Sequence, residues 1–209
     1  MDSSGIALPA VLGLLTGFTL IIAIGAQNAF VLKSGIEGHV RVVLPIVLVC
    51  ALSDAVLILA GVAGIGALIQ HAPVALLVIR IVGSAFLIVY GLLAVRRLFR
   101  PRELDPENAK PAITARVATL TALALTWLNP HVYLDTLILL GSIANHQGPD
   151  ARWWFAGGAI LASCVWFSVL GFGARFLRPV FARPRSWQVL DAIIAAVMLT
   201  IGVRIAFGL

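Results

Sequence analysis

The chain has 209 residues, of which 61% are hydrophobic and 11% charged, with a mean hydropathy of +1.04. So few polar side chains cannot cover the surface of a soluble domain, and apolar runs of about twenty residues recur along the whole length, as in membrane proteins. The formal charge of +6 does not indicate nucleic-acid binding, because the basic residues lie in short stretches between apolar runs, which is a membrane-topology signal.

A backbone in lipid has to satisfy its own hydrogen bonds, so the expected fold is all-helical; a barrel would show short alternating strands instead. Six spans are expected, at residues 7–32, 42–69, 73–95, 117–143, 154–176 and 187–207. Each is long enough to cross a hydrocarbon core of about 30 Å at about 1.5 Å per residue. The opening MDSSGIALPA has an acid and no basic run, so the first span is expected to stay in the mature protein. Gly13 and Gly17 within it form a GxxxG, a packing signal. Trp153, Trp154 and Trp187 fall at span ends, where their rings are expected to anchor at the interface.

One long hydrophilic stretch, 96–114, holds Pro101, Pro106 and Pro111 and reads as a loop. It divides a single transmembrane domain, 1–209, into halves 1–95 and 115–209. Twelve of the fifteen Lys and Arg residues flank the spans on one side, among them Lys33, Arg96, Arg97 and Arg178; Arg80, Arg152 and Arg204 fall on the other. The positive-inside rule makes the crowded side cytoplasmic, with both termini facing outward.

Two halves with an odd number of helices must be inverted if they share a fold. Polar residues interrupt the first span at Ala26-Gln27-Asn28-Ala29 and the fourth at Leu128-Asn129-Pro130-His131. Asn28 corresponds to Asn129, Gly61 to Gly171 and Gly91 to Gly202. Two inverted three-helix repeats are therefore expected, with a substrate site near the bilayer midplane at the paired breaks.

Asp54 lies mid-span, where a charge costs about 2.5–3.5 kcal/mol on the insertion scale and needs a cation, a proton or water. Cys50, Asp54, Leu57, Gly61 and Gly64 follow helical spacing and predict a face turned to a neighbouring helix. Asp135 follows the Asn129-Pro130 break, and His131 stands four residues before it, so the two are placed to pair and share a proton. Asn129, Tyr133 and Thr136 make a further polar face. Gln27 and Asn28 are candidates for binding, or alternatively for tying helices together.

The stretches GAQNAFVLKSG (25–35), CALSDAVLILAGVAG (50–64) and TWLNPHVYLDT (126–136), in this order and spacing, resemble the LysE family of amino-acid exporters. The run TWLNPHVYLD looks most like its arginine-exporter branch, and the likeness extends over the whole apolar plan, including RWWFAGGAILAS (152–163). The resemblance implies export of L-arginine or L-lysine across the bacterial inner membrane, driven by the proton gradient. It carries over a substrate site of Gln27, Asn28, Asp54, Asn129, Pro130, Tyr133 and Asp135, with Asp54, Asp135 and His131 as proton-coupling groups.

Elementary electrostatics fits that implication. A substrate of net charge +1 suits intramembrane carboxylates, and its own carboxylate would need donors such as Asn28, Asn129, Tyr133 or helix N-terminal amides. Moving a cation outward against a negative interior costs about 2.3 kcal/mol per 100 mV, and an incoming proton cancels that charge movement. The expected partners are thus a cationic amino acid, protons and the bilayer, with a homodimer left open and no cofactor or metal required. Two other readings compete. Cys50 and Cys164 lie in corresponding spans and suggest a membrane thiol oxidoreductase, against which the sequence has no CxxC. A passive channel would favour symmetric rings of polar groups, whereas those here are few and uneven. A rhomboid-type protease is disfavoured by the absence of GxSxG.

Overall fold

The computed structural model describes residues 3–22, 25–64, 73–99, 114–182 and 184–207, and among them every regular element is a helix. Four helices cross a membrane by length and apolarity alone, and two bent pairs bring the number of spans to as many as six. The first bent pair is α1 (Ser3–Ile21) with α2 (Ala26–Glu37), whose axes diverge by 84°. Helices α3 (Val40–Val62) and α4 (Pro73–Leu98) follow. The second bent pair is α5 (Ala115–Trp127) with α6 (Pro130–Asn145), bent by 58°. Helix α7 (Ala151–Gly173) then leads through two short 3-10 turns into α8 (Pro184–Phe207).

Two boundaries and the burial of two side chains differ from expectation. The first break falls ahead of Gly25 rather than within Ala26–Ala29, so Gln27 and Asn28 sit in the first turn of α2. Gly25 is the N-cap there, in extended backbone that starts the new helix. Lys33, placed by sequence in a loop, lies inside α2 and is buried. Trp187 is buried too: its ring packs edge-on against Phe181 and its Nε1 donates to the Phe181 carbonyl, whereas Trp153 and Trp154 stay exposed. The predicted span 42–69 ends as helix at Val62; its last residues, 65–69, and most of the loop 96–114 lie outside the described residues.

Packing follows the small residues. Helix α1 crosses α7 so closely that a Cβ on Gly13 would meet the Phe155 carbonyl oxygen at 1.9 Å, and one on Gly158 would meet that of Ala10 at 1.9 Å. Dispersion between closely approaching backbones holds helices together in lipid, where no hydrophobic drive exists. Helix α3 packs on α7 and α5, α4 pairs with α8, and α2 is wedged between these groups. The core formed around α2 includes Phe30, Val47, Leu87, Leu125, Phe167 and Met198.

Candidate functional site

Residues at both helix breaks touch α3: Gln27 at Cys50, and Trp127 at Ser53. At the first, the chain leaves α1 with open carbonyls, and Asn28 reaches back to donate from Nδ2 to the Ile21 carbonyl at 2.6 Å. Trp166 on α7 donates its Nε1 to Asn28 Oδ1 at 3.2 Å, so this amide ties α1, α2 and α7 together. Gln27 lies against Cys50 of α3, and its buried Nε2 has that weakly accepting thiol beside it and no oxygen partner among the described residues. One turn further along α3 is Asp54, 7% exposed, which accepts from Ser163 Oγ of α7 at 2.7 Å. Among the described residues no cation pairs with Asp54.

The chemistry of this first cluster is asymmetric. The N-terminal end of α2 offers amide donors and the partial positive charge of a helix start. A buried carboxylate and an amide nitrogen without an oxygen partner stand close by. An acid lacking a protein cation suits a cation or a proton, while a free buried N–H suits an oxygen acceptor.

At the second break, Asn129 caps α6: its Oδ1 accepts from the His131 amide at 3.1 Å, and Pro130 fills the first helical position. Tyr133 Oη donates to the Trp127 carbonyl at 2.6 Å, satisfying an open end of α5. Trp127 Nε1 in turn donates to Ser53 Oγ at 3.0 Å, linking this break to α3. From Tyr133 to Leu140 the backbone winds as a π-helix, a rare geometry whose single-turn form is frequent at functional sites.

The expected residues are thus divided. Gln27, Asn28 and Asp54 gather at the first break; Asn129, Pro130 and Tyr133 build the second, where their observed contacts cap and close helix ends. Asp135 and His131 are near each other, but both are exposed on the outer surface of the chain. They do not join the buried cluster, because Tyr133 and Leu137, one turn apart, take the face turned to α3 and leave His131 and Asp135 on the other side. The stripe on α3 holds for Cys50, Asp54, Leu57 and Gly61, all buried, and fails at Gly64, which is exposed past the helix end. Both cysteines are free thiols.

Four polar partners went unseen in the sequence: Ser53, Trp127, Ser163 and Trp166. Each is an ordinary residue of an apolar helix until its contact is known. A second buried charge cluster was also missed, in which Lys33 of α2 is held by Asp191 of α8. Arg97 Nε lies 3.2 Å from the same Asp191 oxygen, and Glu37 lies 3.8 Å from Lys33. Asp191 could have been found, since it interrupts the apolar run VLDAII as Asp54 interrupts its own.

The model of the LysE type translocator family matches residues 18–208. This chain belongs to the LysE family. It is 50% identical over 185 residues to a provisionally named amino-acid transporter of Mycobacterium bovis, covering 88% of this chain and 90% of that one. It is 37% identical to the lysine exporter LysE of Corynebacterium diphtheriae, with 94% and 97% covered. It is 39% identical to the arginine exporter protein ArgO of Klebsiella pneumoniae, with 93% and 91% covered. No solved structure matches. LysE family members are translocators, so the chain is a multi-pass membrane transporter and not an enzyme; this removes the thiol-oxidoreductase reading.

Proposed function

We propose that this transporter exports arginine or lysine from the bacterial cytoplasm across the inner membrane in exchange for protons, with Asp54 as the central cation and proton site. The observation that carries this reading is a carboxylate 7% exposed, bonded to a serine hydroxyl and to no cation among the described residues. An ionised acid at that depth needs a positive partner, and a visiting ammonium or guanidinium supplies one on each cycle. Gln27 Nε2 and the first amides of α2 are then the donors for the substrate's carboxylate. Relatives named as lysine and arginine exporters support the choice of substrate.

Two inverted repeats, α1–α4 and α5–α8, fit the packing. A Cβ on Gly35 of α2 would meet the Gly171 carbonyl oxygen of α7 at 2.3 Å; one on Gly141 of α6 would meet that of Gly61 of α3 at 2.6 Å. Between α4 and α8, Gly91 faces Leu199 and Gly202 faces Ile88. Ile88 precedes Gly91 by the same three positions that separate Leu199 from Gly202. Reciprocal contacts of this kind are what a two-fold axis in the membrane plane produces. The helices α4 and α8 run antiparallel, since Arg80 bonds the Ile205 carbonyl at one end while Arg97 meets Asp191 at the other.

A cytoplasmic location for the basic end is supported by the clustering there of Lys33, Arg97 and Arg178, the last donating to the Ile36 and Gly38 carbonyls. Asp135 and His131 remain in the proposal as a second proton site. Their exposure on a single chain at membrane depth favours a homodimer or a wetted path that shields them. A passive channel is the alternative, and counterflow of labelled substrate separates the two, because a pore shows no exchange acceleration.

The test is uptake into inverted vesicles carrying the chain, across a panel of amino acids, with and without a pH gradient. Accumulation of arginine or lysine that depends on the gradient, and is lost in Asp54→Asn, is expected. Undiminished gradient-coupled accumulation by Asp54→Asn would remove Asp54 from the mechanism.

A further inference from the structure

The Lys33 cluster is not used by the export mechanism above, yet it holds more buried charge than the Asp54 site. Lys33 and Asp191 are 7% and 6% exposed, and they join α2 to the α4–α8 pair. Arg97 shares the Asp191 oxygen and lies with its guanidinium 5.6 Å from the Tyr90 ring centre. A buried ion pair is weak as a stabiliser, because desolvating two charges offsets their attraction. Its better-attested use is to fix one arrangement among alternatives.

Position gives this pair a role. Lys33 lies on the helix that begins with Gln27 and Asn28, about 9 Å further along its axis at helical rise. The Phe30 and Tyr90 rings meet edge to face between the two levels, 6.2 Å apart, and close the seam where α2 meets α4. One helix therefore carries a cation-accepting cluster at its start and a filled cation site near its end. The group filling the second site is an alkylammonium, the same chemical head that a lysine substrate carries.

Resting on the export reading, we propose that Asp191 is the cytoplasmic entrance site for the substrate's cationic head, kept closed by Lys33 as a tethered competitor. An arriving ammonium or guanidinium takes the carboxylate, the Lys33 ammonium is released, and the α2–α8 seam opens toward Asp54. A neutral amino acid brings no side-chain cation to replace the ammonium, and its α-ammonium arrives with its own carboxylate beside it, so the exchange also selects for charge.

The first measurement uses the unaltered protein. Purified chain is treated with an amine-acylating reagent in the presence of arginine, its neutral isostere citrulline, or neither, and acylation of Lys33 is quantified against Lys110, the other lysine in the sequence. Arginine is expected to raise Lys33 acylation severalfold relative to Lys110, and citrulline is not. Equal acylation in all three conditions overturns the proposal.

The second measurement is half-saturation for arginine on each membrane face in reconstituted vesicles. Lys33→Gln removes the competitor and is expected to lower the cytoplasmic value by about fivefold while slowing maximal export, since apparent affinity scales with the competent fraction. Asp191→Asn is expected to raise the cytoplasmic value by roughly tenfold and leave the outer one unchanged. A merely structural pair would alter stability in both variants and half-saturation in neither, and that result overturns the proposal. If the unaltered chain moves neither arginine nor lysine, the export reading itself fails and takes this one with it.

Discussion

Ser53 and Asp54, neighbours in α3, are bonded to opposite halves of the site: Ser53 accepts from Trp127 at the second helix break, and Asp54 accepts from Ser163 on the helix that anchors the first. Successive residues on a helix point about 100° apart, so one turn of α3 can touch both breaks at once. A shift of α3 against both α5 and α7 would therefore disturb the Trp127 bond and the Asp54 bond together. That coupling makes α3 the natural element to relay occupancy of one break to the other.

Ser163→Ala tests the carboxylate's surroundings without touching its charge. Ser163 is fully buried, and its hydroxyl donates to Asp54 Oδ2 at 2.7 Å. A hydrogen bond to a charged group contributes about 1.5–3 kcal/mol. Loss of it should weaken half-saturation for arginine by roughly tenfold or more, with the chain still folding. Half-saturation in vesicles, measured beside the melting temperature in detergent, checks this; a lowered melting temperature with unchanged half-saturation would reduce Ser163 to packing.

Tyr133→Phe and Trp127→Phe separate two bonds at the second break. The first leaves the Trp127 carbonyl unsatisfied where Tyr133 Oη had donated, at a cost of about 1–3 kcal/mol. The second keeps that carbonyl and removes only the indole donor to Ser53, at a cost of about 1 kcal/mol. Tyr133→Phe should thus lower the melting temperature more than Trp127→Phe. Thermal unfolding of the two purified variants decides the order.

Asn28→Ala removes the link from α2 back to α1. It frees the Ile21 carbonyl, bonded at 2.6 Å, and the Trp166 indole nitrogen, bonded at 3.2 Å. Two lost bonds at one break should destabilise the chain by about 2 kcal/mol and slow transport as the start of α2 loosens. Asn28→Asp retains an acceptor for Trp166 but no donor for Ile21, so it should rescue only part of the loss. Full stability in Asn28→Ala would mean that the α2 start is held by packing alone.

What was legible in the sequence was set by lipid. Apolar length announced the spans, Pro130 announced the second break, and Asp54 stood out because a carboxylate in hydrocarbon has so few explanations. The first break was displaced because no proline marks it, so polarity at Gln27 and Asn28 was mistaken for the interruption itself. Burial of Lys33 was hidden because its partner Asp191 is 158 positions away, and no local pattern pairs them. Asp135 joined Asp54 in the expected site only through the family resemblance, and nothing local in the sequence shows that Tyr133 and Leu137 take the face turned to α3 and leave Asp135 exposed. The partners Ser163 and Trp166 belong to tertiary geometry, which single residues in an apolar run do not encode.

Gly141→Ala and Gly35→Ala test whether the two halves pack by the same rule. A Cβ at Gly141 would come within 2.6 Å of the Gly61 carbonyl oxygen, and one at Gly35 within 2.3 Å of the Gly171 oxygen. Both obstacles are backbone, so helices would have to move apart, and overpacking of this kind costs about 1–3 kcal/mol. Gly157→Ala is the control: it is exposed on α7, and a Cβ there meets nothing within 4 Å. That substitution should stabilise by about 0.5–1 kcal/mol through helix propensity alone. Lowered melting temperatures for Gly35→Ala and Gly141→Ala, beside an unchanged or raised one for Gly157→Ala, are expected. If only one of the first two is destabilised, the close α2–α7 and α3–α6 crossings are not equivalent, and the repeat argument loses its packing support.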